Sequence, residues 1–244
     1  MTVDRWAQAV RHQLGIGRLV PLGGPGDGAW IAESAARDVL RVAVASLRGV
    51  RLGALRLEQA DPEGTYEAAV PAPPGALPPG PLRIVAGCAA AADEPLPVVT
   101  TRLRMTLARA AGDELGLVVE AVDLQVTELL EAGTEEPAGP APAPDESSEP
   151  RPLSGDEARA AQAARSVPGV AALTGALGGM SRAVHIEERE AGTGALPRRH
   201  VRVELAVSAR ARALDVARQV RRAVTTAFPD APSVAVLVTA VERA

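Results

Sequence analysis

The 244-residue chain predicts an α+β fold built twice, and three observations carry that reading. The first is a helix-to-strand unit near the C-terminus. Leu214, Ala217, Val220, Val224 and Phe228 are spaced by three and four, which puts an apolar stripe on one side of a helix. Val234, Val236 and Val238 then alternate with Ala235, Leu237 and Thr239, the period of a strand. The second is an earlier copy of that unit, in which Leu96, Val99, Leu103, Leu107 and Ala110 make the stripe and Val122, Leu124 and Val126 alternate with Asp123, Gln125 and Thr127. The third is the stretch between the copies: residues 132–152 hold six prolines, five acids and almost no apolar bulk, the composition of a linker. The expected organisation is a domain over 1–131, an acidic proline-rich linker over 132–152 and a second domain over 153–244. Extended at ~3.1 Å per residue, the linker reaches about 60 Å, so the domains need not touch.

Taken in order, residues 3–14 read as a short amphipathic helix with Trp6, Val10 and Leu14 on one side. Gly15 to Gly28 holds six glycines and two prolines, the punctuation of an irregular loop. A phosphate-loop reading fails there, because no Lys follows a closing Gly and no Ser or Thr is placed for magnesium. Ile31 to Leu47 reads as a helix with Ile31, Ala35, Val39, Val42 and Leu47 at near-helical spacing, ending at Gly49. Leu55 and Leu57 make a first strand, Leu82 and Ile84 a second, and the proline-rich Ala60 to Pro81 between them predicts a long exposed connection. In the second half, Asp156 to Arg165 reads as a helix closed by Ser166-Val167-Pro168-Gly169-Val170, the counterpart of Ser46-Leu47-Arg48-Gly49-Val50. Val184 and Ile186 alternate as strand one, and Val201, Val203, Leu205 and Val207 as strand two. Each domain therefore reads helix, strand, strand, helix, strand. The expected result is a two-layer sandwich with both helices on one side of a three-stranded sheet.

Composition narrows the class. Hydrophobic residues make up 47% but aromatics only 2%, so the core is aliphatic. All 26 basic residues are arginine and neither Lys nor Asn occurs, the mark of a GC-rich genome. The formal charge of -4 is uneven: residues 1–131 carry 12 Arg against 16 acids, the linker 1 against 5, and residues 153–244 carry 13 against 9. A basic second domain beside an acidic linker permits contact between them, or contact with anionic lipid or nucleic acid. The single Cys88 excludes an internal disulfide and fits a reducing compartment. No apolar run approaches the ~20 residues that span a bilayer, so a soluble cytoplasmic protein is expected.

These stretches resemble the alkaline shock protein family of bacterial envelope-stress proteins. The resemblance lies in the Ser166 to Val170 helix end, His200 to Val207 as strand two, Leu214 to Ala223 as helix two, and Gly116 to Thr127 as the final turn and strand. It covers 153–244 well and 28–131 more loosely. The second copy has Pro229, Asp230, Ala231 and Pro232 in place of the Gly-Leu entry to its last strand, and the first carries the long proline loop. The arrangement is also similar to actinobacterial chains catalogued under a nucleopolyhedrovirus family name. The resemblance implies a non-enzymatic cytoplasmic scaffold, held near the membrane by a small membrane-anchored partner and assembled with related alkaline-shock-like proteins, with homo-oligomer formation open. It supplies no catalytic residue and no cofactor.

The residues themselves offer few sites. His12, His185 and His200 are scattered and Cys88 has no partner nearby, so no metal centre is expected. Gly179-Met180-Ser181-Arg182-Ala183 approaches a nucleophile elbow, but its last Gly is Ala and no acid-base pair accompanies it. Gly175-Ala176-Leu177-Gly178 has the form of the KH nucleic-acid clamp, yet its two middle residues are apolar. The one surface singled out is basic: Arg198, Arg199, Arg202, Arg218, Arg221 and Arg222, as a candidate interaction patch. A scaffold is the leading expectation, and KH-like RNA binding through this arginine-rich half is the alternative.

Overall fold

The computed structural model describes residues 17–130, 155–175, 182–189 and 198–243. The predicted helix over 3–14, the linker over 132–152 and the segment 176–181 of the glycine motifs lie outside the described residues. The chain runs β1 (Leu19–Pro21), β2 (Ala29–Ala32), α1 (Glu33–Ala45), β3 (Val50–Gln59), β4 (Leu82–Ala91), α2 (Leu96–Arg109) and β5 (Val119–Leu130). It continues as α3 (Gly155–Arg165), β6 (Val170–Leu173), β7 (Val184–Arg189), β8 (Arg198–Ser208), α4 (Ala213–Thr226) and β9 (Ser233–Glu242). The fold is α+β. One sheet has three strands in the order β3-β4-β5, the first pair antiparallel and the second parallel. Register puts Leu55 and Leu57 on the same face as Ile84, Ala86, Val122 and Leu124, and α1 and α2 pack against that sheet. Its other face carries the ion pairs Arg83–Asp123 and Arg51–Glu128.

The two halves match down to single hydrogen bonds. After α1, Ser46 Oγ donates to Ala43 O, Gly49 takes φ 70°, and its carbonyl accepts from Ala91 N. After α3, Ser166 Oγ donates to Ala163 O, Gly169 takes φ 94°, and its carbonyl accepts from Ser208 N. A left-handed residue that ends a helix is most cheaply glycine, which has no Cβ to clash. The parallel strand pairs agree as well: Ile84, Ala86 and Cys88 face Val122, Leu124 and Val126, as Val201, Val203 and Leu205 face Val234, Val236 and Val238. Both pairs then slip by one residue at a bulge, and the residue skipped is a threonine each time. Thr127 Oγ1 donates to Cys88 O and Thr239 Oγ1 to Leu205 O, both at 3.3 Å.

The second sheet departs from the expected three strands: it has six, in the order β1-β2-β9-β8-β6, with β7 also on β8. Two causes account for this. Strand one of this half is broken, because β6 pairs with the Leu205 to Val207 end of β8 and β7 with the Arg198 to Val203 end. β3 makes the matching run on β4 as one strand, with its bulge between Leu52 and Leu55. The other two strands come from the segment read as an irregular loop. Leu19–Pro21 and Ala29–Ala32 form a hairpin, and β2 lies parallel to β9 with Ala29, Trp30 and Ile31 opposite Val236, Leu237 and Val238. Ile31 is thus a strand residue, and the helix expected from Ile31 starts at Glu33.

The hairpin joins the halves into one contiguous apolar core that contains both Leu57 and Ile84 and Val203 and Val236. Val234 to Val238 are buried without interruption, as suits a strand flanked on both sides and covered on both faces. On the face shared by Leu237 and Trp30, the proline-rich connection forms the roof. It is therefore less exposed than expected: Val70 is buried, Leu77 N donates to Leu19 O at 2.8 Å, and Trp30 Nε1 donates to Leu77 O at 3.3 Å.

Candidate partner-binding surface

The six arginines of the candidate patch fall into separate settings. Arg199 pairs with Asp156 at 2.7 Å and Asp230 at 3.3 Å and lies over the Phe228 ring. Arg202 lies 3.8 Å from the buried Glu204 carboxylate. Arg218 and Arg221 both reach the hairpin, and Arg198 and Arg222 are exposed.

The Arg218 contact is a two-pronged clasp between the halves. Its Nε and second terminal nitrogen donate to Asp27 Oδ1 and Oδ2 at 2.7 and 3.0 Å. Asp27 sits in the β1–β2 turn, where Gly24 N also donates to it at 2.8 Å. Burial pushes the Asp27 carboxyl upward, but the bonds from Arg218 and Gly24 and the charges of Arg218 and Arg221 outweigh it and hold the group below its usual range. The same pairing raises Arg218 above the ordinary guanidinium value. Close packing flanks the clasp. Gly116, at φ 90° after the π-helical turn Ala110–Leu115, lies directly against Leu214 of α4, and Arg212 Nε donates to Gly112 O at 2.9 Å.

The matching helix α2 has no such cover among the described residues. Of its stripe, Val99, Leu103, Leu107 and Ala110 are buried, as the spacing predicts, whereas Leu96 in the first turn is exposed. The outer side holds Val98, Thr101, Arg102, Met105 and Arg109 around a shallow depression. Val98 is 50% and Met105 59% exposed. Arg102 is held by both oxygens of Glu94, at 3.2 and 2.8 Å. Val118 and Leu129, at the two ends of β5, are exposed too.

Beside this helix, β5 is an edge strand, and among the described residues no strand pairs with its outer side. Between Ile84 and Leu103 and between Val201 and Val220 the chain has the same length, which makes Arg104 the counterpart of Arg221 and Thr101 that of Arg218. The two matched arginines do different things. Arg221 reaches across to Gly26 O in the hairpin turn at 2.5 Å. Arg104 folds back and donates its Nε to Val122 O of β5 at 3.1 Å. The opposite edge, β3, is closed by side chains: Leu57 N donates to Glu33 Oε1 at 3.1 Å and Leu57 O accepts from Arg18 at 3.0 Å.

The remaining titratable groups sit apart from this surface. His185 is held below its ordinary value by burial and by the Arg202 charge, and its Nε2–H donates to the Arg182 carbonyl at 3.1 Å. Burial raises the Cys88 thiol, which faces the core. Among the described residues no group of three or more His, Cys, Asp and Glu is arranged to hold a metal ion, and no helix is long and apolar enough to cross a membrane. The α2 surface was not singled out from the sequence; the signal that could have found it is Val98 and Met105, two apolar residues off the helix stripe. Comparison with protein-family models and with curated proteins found no match.

Proposed function

We propose that this chain is a binding or scaffolding protein of a membrane-proximal envelope-stress assembly. It is made of two alkaline-shock-like units joined by the acidic linker, works in the cytoplasm, and takes a membrane-anchored protein and related chains as partners. The observation that carries this reading is the outer side of α2, where Val98 and Met105 are exposed next to Arg102 and Arg109. Apolar residues framed by arginine are a common composition for a protein interface, with the apolar part supplying burial and the rim supplying orientation.

The test is a mild-detergent pull-down of the tagged protein from its own host, set beside a Val98→Asp/Met105→Asp double variant. A membrane-anchored protein and related chains in the wild-type eluate, absent with the variant, is the expected result. Elution as a monomer without membrane protein overturns the reading. Recovery of nucleic acid instead moves the function to the arginines of α4 and β8.

A further inference from the structure

We infer that the outer edge of β5 is a strand-addition site that takes an uncharged, extended segment of another protein, parallel to β5, with Arg104 as the placeholder that the new strand displaces. The inference rests on the scaffold reading above and gives it a mode of binding.

The molecule contains its own precedent. Val236 and Leu124 hold the same place in the register, and Val236 N donates to Gly28 O of the hairpin at 3.1 Å. Leu124 therefore turns its N–H toward the open edge of β5. Val234 and Val122 correspond in the same way, and the Val234 carbonyl lies on the hairpin side, close under Gly28. At Val122 that outward carbonyl is the one that accepts from Arg104. An exposed row of main-chain donors and acceptors binds further strands, and proteins commonly protect it with charged side chains. Where a strand is present, the matched Arg221 lies beyond it on the turn carbonyl of Gly26. The two matched arginines thus show the two positions: Arg104 folded onto the edge where the edge is open, and Arg221 on the added segment where it is filled.

The chemistry of the occupant follows from what differs between the sites. β2 supplies Ala29, Trp30 and Ile31 to β9, three uncharged residues. Its turn carries Asp27 because Arg218 stands opposite. On α2 that place is Thr101, with Val98 and Met105 exposed on the same side. The partner strand accordingly has an uncharged residue where the hairpin has Asp27. A second copy of this chain is a poor occupant, since its own β2 is already paired with β9.

The probe is a synthetic peptide of residues 19–32 with Asp27→Val, added to the isotope-labelled full chain and followed by NMR amide exchange. Two further versions carry N-methyl groups on alternate residues, one in each register. The expected result is saturable binding, with slowing of the Leu124 and Val126 amides by tenfold or more, no change in β9, and loss of binding with one methylated version only. Strand pairing uses the amides of one edge, so this asymmetry separates it from side-chain docking. No saturable binding, equal binding of both methylated versions, or protection confined to β9 overturns the inference. If the wild type still captures its membrane-anchored partner in that case, strand addition alone fails and the scaffold reading stands.

Discussion

The strands β5 and β9 differ more in their neighbours than in themselves. Both follow an amphipathic helix, both pair parallel with the middle strand of their half, and both slip at a threonine bonded back to that strand. β9 has a strand on its other side and is buried from Val234 to Val238, whereas β5 is an edge with Asp123, Gln125 and Thr127 exposed. The lesson is that one framework yields a core strand or a binding edge according to what lies beside it. The hairpin decides which.

Removing the hairpin's anchor gives the largest break in that comparison. Trp30→Ala deletes a fully buried indole and is expected to cost about 3–5 kcal/mol in denaturant unfolding. Native-state hydrogen exchange then sharpens the result: β9 amides lose more protection than β4 amides if the hairpin serves mainly the second half. Equal loss in both would show that the halves unfold together.

Next in size is Gly116→Ala. The new Cβ would overlap the Leu214 side chain, and the residue would be held at φ 90°, so a loss of about 2–3 kcal/mol is expected. A variant as stable as wild type would mean that the contact between the halves yields easily.

The smallest effect belongs to the clasp. Arg218 is 42% exposed on its side chain, so solvent screening limits Asp27→Asn to about 1 kcal/mol. Its sign against pH is fixed. The Asp27 carboxyl is depressed in the folded state, so its contribution is full above the unfolded value of 3.8 and is lost as pH falls through the lower folded value. The difference between wild type and Asp27→Asn should be constant near neutrality and shrink below pH ~4. A difference that grows on acidification would rule out the ion pair as its source.

Much of this architecture was readable because one apolar face dictates a period. Leu55 and Leu57, Val201 to Val207, and the stripes of α2 and α4 all repeat at the spacing of their element. Three features escaped for physical reasons. Ile31 and Ala35 sit four apart, which suits a helix, yet Ile31 pairs with Val238 from the far end of the chain. Val170-Ala171-Ala172-Leu173 is too short and too uniformly apolar to show alternation, so β6 went unseen. The arginines of α4 read as one surface because charge on a helix says nothing about a partner 191 residues away. Only the fold brings Asp27 to Arg218. The α2 surface was not singled out, although Val98 and Met105 stand off the stripe. What marks them as exposed is that nothing described packs there.

The pairing of β2 with β9 also sets a schedule for biosynthesis. Asp27 leaves the ribosome 191 residues before Arg218, which at ~5–20 residues per second is a delay of about 10–40 s. During that interval the glycine-rich hairpin, with Trp30 in it, has no sheet to join. The three strands β3, β4 and β5 are complete much earlier and need no distant partner. The hairpin, although translated before these strands, gains its own sheet only when β9 emerges.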